Sequence, residues 1–225
     1  MTGAAPSPTP GSEGRPRPLL AVLDYGIGNL RSAEKALTHV GADARLTADH
    51  GLIADADAVV LPGVGAFGRC MKALRVARLE QPTLDAIASG RPFLGICIGM
   101  QMLFDSSEED LSVSGLGVLP GRVAWIPPGV KRPQMQWNQL DLRVREEPLF
   151  AGLPERPWVY FVHSLHGVPD DPLDVVATCD YGGTLNAAFR RGNVFAVQFH
   201  PEKSGSDGLA LLANFAAVAH GAVAV

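Results

Sequence analysis

Three short, uninterrupted apolar segments constrain the fold of this chain more than any other feature. They are Leu19–Leu23, Ala58–Leu61 and Phe93–Ile96. Apolar runs of this length are typical of strands that are buried on both faces of a parallel sheet. Apolar residues recur with helical spacing from Leu30 to Val40, and helices are also predicted near 69–79 and 82–89. The first half of the chain is therefore predicted to be α/β, with helices flanking an open, mostly parallel central sheet.

The second half has a different pattern, in which short strand-like segments are broken by glycine and proline. The predicted strands are Arg122–Ile126, Asn138–Val144, Trp158–Val162, Val175–Thr178, Leu185–Arg190 and Val194–Phe199. Residues 191–193 separate the last two as a hairpin turn would, so several of these strands should pair antiparallel. A helix over 207–219 is expected to close the fold. Residues 19–225 are predicted to form one domain, preceded by a disordered tail at 1–18 that is rich in proline, glycine and serine.

Composition excludes several classes of function. The formal net charge of −4 provides no basic surface for nucleic acid, and no apolar run is long enough for a membrane span. Three cysteines in 225 residues are too few for a disulfide framework, and the first residues do not have the pattern of a secretory signal. A cytoplasmic, reducing location is therefore expected, where a thiol can act as a nucleophile.

Cys97 is the strongest candidate for such a nucleophile. It lies between a predicted strand and a helical run, with Gly95 and Gly99 two residues to either side. This is the layout of a nucleophile elbow, in which small neighbours allow a sharp turn and the helix N-terminus favours the thiolate. The alternative is a buried structural cysteine, which is the interpretation we give to Cys70 and Cys179.

A thiolate also needs a base, and His200 is the best candidate. It ends a predicted strand, and Glu202 lies two positions later. If the chain is extended there, both side chains leave on the same face and the carboxylate can orient the imidazole. His163 and His166 are rival bases, but neither has a carboxylate two residues away.

Backbone donors for an oxyanion are expected in the glycine-rich loop at 62–68 and at Ile98, the residue after the cysteine. The segment at 24–31 only superficially resembles a dinucleotide fingerprint, because Arg31 occupies its third glycine position. No phosphate-loop or paired Cys-x-x-Cys signature occurs. We therefore expect neither a cofactor nor a metal.

Taken together, the segments Gly95–Gly99, Phe199–Glu202 and Pro62–Gly65 resemble the class I, triad-type glutamine amidotransferase family, which implies a flavodoxin-like fold. Within that family, residues 24–32, 62–68, 137–138, 160–164 and 200–204 resemble the glutaminase subunits of imidazole glycerol phosphate synthase. The resemblance covers about 19–218. It implies that glutamine is hydrolysed to glutamate and ammonia. The ammonia would pass through a tunnel to a (β/α)₈ cyclase subunit, the partner in a heterodimer, which makes imidazole glycerol phosphate and AICAR in histidine biosynthesis.

The resemblance also implies roles for individual positions. Cys97 would attack the amide of glutamine, His200 would protonate the leaving ammonia and activate water, and Glu202 would hold His200. Backbone groups at Val64 and Ile98 would form the oxyanion hole. The glutamine pocket would be lined by Gly65, Gln101, Ser164 and Leu165. The partner interface would include Asn29, Trp137, Asn138, Tyr160 and Lys203.

The chain departs from the family pattern at two places. Residues 134–138 read Gln-Met-Gln-Trp-Asn where the family usually has His-Met-Gly-Trp-Asn, and Leu165 stands where tyrosine is common. Three alternatives stay open at this point: a triad amidotransferase of another pathway, a stand-alone cysteine hydrolase or peptidase, and a catalytically silent interaction subunit.

Overall fold

The computed structural model describes residues 17–221, so all but the end of the predicted tail at 1–18 lies outside the described residues. The strands are β1 (Leu19–Leu23), β2 (Asp43–Thr47), β3 (Ala58–Gly63), β4 (Phe93–Cys97), β5 (Phe104–Ser107), β6 (Leu119–Trp125), β7 (Gln134–Gln139), β8 (Asp141–Leu142), β9 (Trp158–His163), β10 (Leu165–Pro169), β11 (Val175–Asp180), β12 (Thr184–Arg191) and β13 (Val194–Val197). The helices are α1 (Leu30–His39), α2 (His50–Asp55), α3 (Phe67–Val76), α4 (Glu80–Ala88), α5 (Ile98–Gln101) and α6 (Gly205–Ala219).

A large sheet dominates the described part of the chain. Its strand order is β2-β1-β3-β4-β13-β12-β11-β8. The first five strands are parallel neighbours, and the remaining pairs are antiparallel. This confirms the predicted α/β class, with a mostly parallel centre and an antiparallel region. No helix within residues 17–221 has both the length and the apolar character that crossing a bilayer requires.

Two smaller sheets lie beside the large one. One has the order β10-β6-β5, and the other pairs β7 with β9 in antiparallel fashion. Strands β9 and β10 are separated only by Ser164, so the chain passes from one small sheet to the other at that residue. This crossing carries residues 163–165 past the end of the central strands, where the candidate site lies.

The core forms where the sequence is most apolar. Every residue of β3 and β4 is buried, and helix α1 covers the sheet with a face made of Leu30, Ala33, Ala36 and Leu37. Burying such a face stabilises a helix more than its intrinsic propensity does. The apolar residues whose spacing predicted α1 are therefore the residues that this helix buries against the sheet.

Several predicted boundaries differ from the structure. Strand β2 was not expected, because at the sheet edge only Thr47 of its five residues is buried and no apolar run marks it. The strand predicted over 138–144 is two elements, since β7 ends at Gln139 and Leu140 separates it from β8. Strand β13 ends at Val197 rather than Phe199, and the helical run after Cys97 is only the four residues of α5.

Candidate active site

Cys97 lies at a sharp turn where β4 ends and α5 begins. Its backbone has φ 54° and ψ −111°, which is a strained conformation for any residue other than glycine. The pairing of β3 with β4 brings Gly63 level with Cys97, so the end of β3 borders the turn. Strain of this kind is characteristic of functional sites, and here it places the sulfur at the carboxyl edge of the parallel strands.

The two flanking glycines are required by close packing. A side chain at Gly99 would collide with the backbone carbonyl of Leu61, and one at Gly95 would lie 2.9 Å from both Leu103 Cδ1 and Met100 Cα. The short helix α5 therefore contacts the sheet more closely than a Cβ would permit. With only four residues, α5 has a small dipole.

His200 and Glu202 form a buried hydrogen-bonded pair. His200 Nδ1 lies 2.8 Å from Glu202 Oε1, with 2% and 4% of the two side chains exposed. The backbone of His200 is fixed at both ends, because its N–H donates to Tyr160 O and its carbonyl accepts from Ser204 Oγ. The extended path predicted for this segment is wrong at Glu202, which lies in a 3-10 turn over Pro201–Lys203. The carboxylate reaches the imidazole through that turn instead.

The other ring nitrogen of His200 faces the thiol of Cys97. Burial by itself would lower the pKa of His200, but interactions with Cys97 and Glu202 outweigh it and raise the pKa to about 10. Within the described residues, Nε2 of His200 has no partner in good hydrogen-bond geometry. Contacts of this kind are often poorly aligned before a substrate binds. The arrangement favours a charged imidazolium beside the sulfur.

A cavity of about 220 Å³ opens in front of the sulfur. Its lining includes the predicted nucleophile and base, both predicted oxyanion-hole residues and all four predicted residues of the glutamine pocket. These are Cys97, His200, Val64, Ile98, Gly65, Gln101, Ser164 and Leu165. Glu202 does not line it and lies behind His200. The structure adds Glu109, Pro133 and Val162 to the lining, which also contains His163, a residue that the sequence favours as site-lining or structural rather than as the base. Glu109 had no motif around it, since it follows β5 in a loop, and only its carboxylate could have drawn attention.

Gln101 offers an unused acceptor near the cavity. Its Nε2 donates to Leu165 O at 3.3 Å and to Gln198 Oε1 at 3.0 Å, whereas its buried Oε1 has no partner among the described residues. An unpaired buried acceptor costs free energy unless a ligand satisfies it. Leu165 O accepts from Gln101 Nε2, so Leu165 contacts this predicted pocket residue through its backbone and not through its side chain.

The rival bases are placed differently from His200. His163 Nδ1 lies 2.7 Å from Leu165 O, which can only accept, so Nδ1 carries the proton of the neutral ring. Nε2 then accepts from the side-chain amide of Gln134, 3.0 Å away, and neither ring nitrogen is bonded to a carboxylate. Burial lowers the pKa of His163 to about 4 and also lowers the pKa of His166. A neutral ring bonded to a carbonyl holds the cavity wall. The departure at Gln134 thus lies behind His163.

Two buried side chains hold the loop that follows β3. The hydroxyl of Tyr25 donates to Pro62 O at 2.7 Å, and Cys70 Sγ lies 3.4 Å from Val64 O. The peptide between these two carbonyls carries the N–H of Val64. Cys70, expected to be a packing residue, is buried as predicted and also contacts this loop. Burial raises the pKa of its thiol to about 11, so Cys70 stays protonated.

The predicted interface residues lie around the outside of the triad. Trp137 is 48% exposed and contacts Tyr160 with a ring separation of 6.1 Å. Asn29 and Lys203 are exposed, and Asn138 donates to Asp180 O. Asn29 also lines a crevice of about 10 Å³ together with Pro62, Gly63, Val64, Ile96, His200 and Glu202. Among residues 17–221, no group of three or more His, Cys, Asp or Glu could hold a metal ion.

Solved structures with low sequence identity share the fold of this protein, and a family model gives its class. The protein of Thermoplasma acidophilum described as a putative GMP synthase component has a TM-score of 0.71 at 20% identity and covers 93% of this chain and 97% of its own. A structure described as a glutamine amidotransferase also has a TM-score of 0.71, at 22% identity, covering 89% and 98%. The family model of class-I glutamine amidotransferases matches residues 21–219.

Curated relatives are much more similar in sequence. The imidazole glycerol phosphate synthase subunit HisH of Syntrophotalea carbinolica is 49% identical over 88% of this chain and 98% of its own length. The HisH subunits of Synechococcus sp. (strain JA-3-3Ab) and Salinibacter ruber are 51% and 49% identical, covering 87% and 89% of this chain and 92% and 94% of theirs. The chain therefore belongs to the class-I glutamine amidotransferase family, in its HisH branch.

Proposed function

We propose that this protein hydrolyses glutamine to glutamate and ammonia with Cys97, His200 and Glu202 as its catalytic triad. The observation that carries the proposal is the position of His200, which lies between a thiol at a strained turn and a buried carboxylate, at a cavity with room for a small molecule. In a catalytic triad the base contacts the nucleophile with one ring nitrogen and an orienting carboxylate with the other, as His200 does here.

The reaction proceeds in two halves. In the first, Cys97 Sγ bonds to the side-chain amide carbon of glutamine, the carbon–nitrogen bond breaks, and the nitrogen leaves as ammonia with a proton from His200. In the second, water attacks the thioester carbon, His200 accepts a proton from it, and the carbon–sulfur bond breaks to release glutamate and restore the thiol. Glu202 keeps Nδ1 of His200 protonated, so Nε2 is the atom that exchanges protons.

The remaining cavity residues bind the glutamine and stabilise the negative charge that develops on its amide oxygen. Backbone N–H groups of Val64 and Ile98 stabilise the oxyanion. Gly65, Ser164 and Leu165 form the walls, and the free Oε1 of Gln101 accepts from a substrate N–H. Glu109, a carboxylate in the lining, is suited to the α-ammonium group of glutamine. No step in this scheme calls for a metal or a cofactor.

We further propose that the ammonia serves a (β/α)₈ cyclase for synthesis of imidazole glycerol phosphate and AICAR in the cytoplasm. The names of the relatives, which describe them as subunits of imidazole glycerol phosphate synthase, support a partner subunit. The exposed Trp137 and the half-buried Tyr160, with Asn29, Asn138 and Lys203, would form the interface. The crevice that joins Asn29 to His200 supports an exit for ammonia on that side.

Glutamine hydrolysis by the purified chain, alone and with a cyclase partner and its nucleotide substrate, tests the proposal. We expect slow ammonia release alone, faster release in the complex, and none from Cys97→Ala in either. Labelling of Cys97 by a thiol-directed glutamine analogue should accompany activity. Full activity without the partner would indicate a stand-alone hydrolase, and failure to label Cys97 would indicate a silent interaction subunit.

A further inference from the structure

Gln198 lies beside the nucleophile, although no role was assigned to it from the sequence. It follows β13, is fully buried, and its backbone N–H donates to Ala187 O. Its side-chain amide lies between Gln101 and Cys97: Oε1 is 3.0 Å from Gln101 Nε2, and Nε2 is 3.8 Å from Cys97 Sγ. A polar side chain buried this completely needs both of its ends satisfied.

The donor and acceptor ends of the two glutamine side chains can be assigned from one backbone group, which can only accept. The backbone carbonyl of Leu165 can only accept, so the end of Gln101 that faces it is the NH₂ group. The same NH₂ group faces Gln198, so the facing atom of Gln198 is its oxygen. The remaining end of Gln198, which faces the sulfur of Cys97, is therefore a donor.

We propose that Gln198 is a positioning residue that stabilises the thiolate of Cys97 by donating an N–H to its sulfur. A distance of 3.8 Å is long even for sulfur, which is larger than oxygen. Hydrogen bonds shorten and strengthen when one partner is charged, so the contact favours the thiolate over the thiol. This inference rests on the proposed function only in taking Cys97 as the nucleophile.

Other ionisable groups surround the sulfur and are unchanged when Gln198 is replaced. They are His200, which precedes the 3-10 turn and has Glu202 behind it, Tyr25 after β1, Cys70 of α3, and the cavity residues Glu109 and His163. His200 supplies the opposite charge. The amide of Gln198 supplies a neutral donor, so its removal alters the thiol without removing the imidazolium.

The test measures the pH dependence of Cys97 alkylation by iodoacetamide in the full chain, with the site of labelling identified by peptide mass spectrometry. Gln198→Met keeps the side-chain size and removes the donor. We expect the midpoint of labelling to rise by about one pH unit, which leaves about tenfold less thiolate below the midpoint. Gln101→Met, which removes the group that orients Gln198, should shift the midpoint in the same direction by less.

Gln134→Met is the matched control, because Gln134 is an equally buried glutamine that contacts His163 rather than the sulfur. Its labelling midpoint should equal that of the wild type. The proposal fails if Gln198→Met leaves the midpoint unchanged, or if Gln134→Met shifts it as much. If circular dichroism shows that Gln198→Met does not fold, Gln101→Met decides, and an unchanged midpoint there overturns the proposal. Alkylation uses no glutamine, so a failed glutaminase assay on the wild type would reject the proposed function separately.

Discussion

Nδ1 of His200 lies 2.8 Å from the carboxylate of Glu202, and neither side chain is more than 4% exposed. A carboxylate can only accept, so Nδ1 carries the proton and Nε2 is left for the reacting groups. Because the contact is shielded from water, it defines one tautomer and one orientation of the ring.

Replacing Glu202 with glutamine should reduce glutaminase activity less than removing His200 does. His200→Ala removes the acid and base, so kcat/KM should fall by at least ~10²–10⁴-fold. Glu202→Gln keeps an acceptor for Nδ1 and loses only the charge, so the fall should be smaller and the pKa of His200 should decrease. Steady-state kinetics over pH measures both effects. Equal losses in the two variants would mean that Glu202 does more than orient the ring.

His163 should affect acid stability more than catalysis. Its pKa of about 4 lies below the ordinary value for histidine, so the unfolded chain binds a proton that the folded chain does not as pH falls below about 6.5. Its contribution to stability is complete above that pH and is lost progressively toward pH 4, by about 3 kcal/mol at most. Urea unfolding of the wild type and His163→Gln from pH 4 to 8 measures it.

The variant's stability should fall less steeply with acid than that of the wild type. The exposed His39, replaced in the same way, provides the control and should leave the profile unchanged. If His163→Ala reduces glutaminase activity more than His200→Ala, His163 is the base and the triad is assigned incorrectly.

Gly99→Ala should destabilise the protein strongly, because its methyl group would collide with the backbone of Leu61 rather than with a movable side chain. Overpacking of this kind costs about 1–3 kcal/mol or more. Gly51→Ala in α2, where the nearest atom is the side chain of Asp49 at 3.2 Å, should change stability by less than about 1 kcal/mol. Thermal and denaturant unfolding distinguish the two. A tolerated Gly99→Ala would contradict the close approach of α5 to β3.

Trp137→Ala should weaken binding of the cyclase by about tenfold or more, as expected for an exposed aromatic residue at the centre of an interface. Titration calorimetry with the purified cyclase measures this affinity. Leu173→Ala, which truncates an 83% exposed residue near β11, serves as the control and should bind like the wild type. Equal affinity of Trp137→Ala and wild type would remove this residue from the interface.

The sequence predicted the centre of the fold better than its edges. Segments buried on both faces, such as β1 and β4, must be apolar throughout and are visible as runs. The edge strand β2 is only partly buried, so its residues Asp43–Thr47 do not have to be apolar and form no apolar run. The same reason explains why β10, with alternating exposure and a glycine, was not expected.

Local sequence motifs predicted site residues correctly where the site is formed by a turn within one short segment. Gly95 and Gly99 flank Cys97 because the turn requires them, and the backbone shows that turn. Glu109 reaches the cavity only through tertiary packing, and its neighbours in sequence give no sign of it. Gln198 lies two residues before His200, but its contact with the sulfur of Cys97 depends on the pairing of β13 with β4. Roles that depend on a distant contact need the fold before they can be assigned.

Pairing of β4 with β13 joins Ile96 to Val197 and so brings together two segments from distant parts of the chain. A ribosome must complete β13 and the turn that follows it before the sulfur can meet its imidazole. Until then, the emerging polypeptide holds only an isolated thiol. Under the proposed mechanism, a polypeptide that stops before residue 200 holds the nucleophile without its base and should release no ammonia from glutamine.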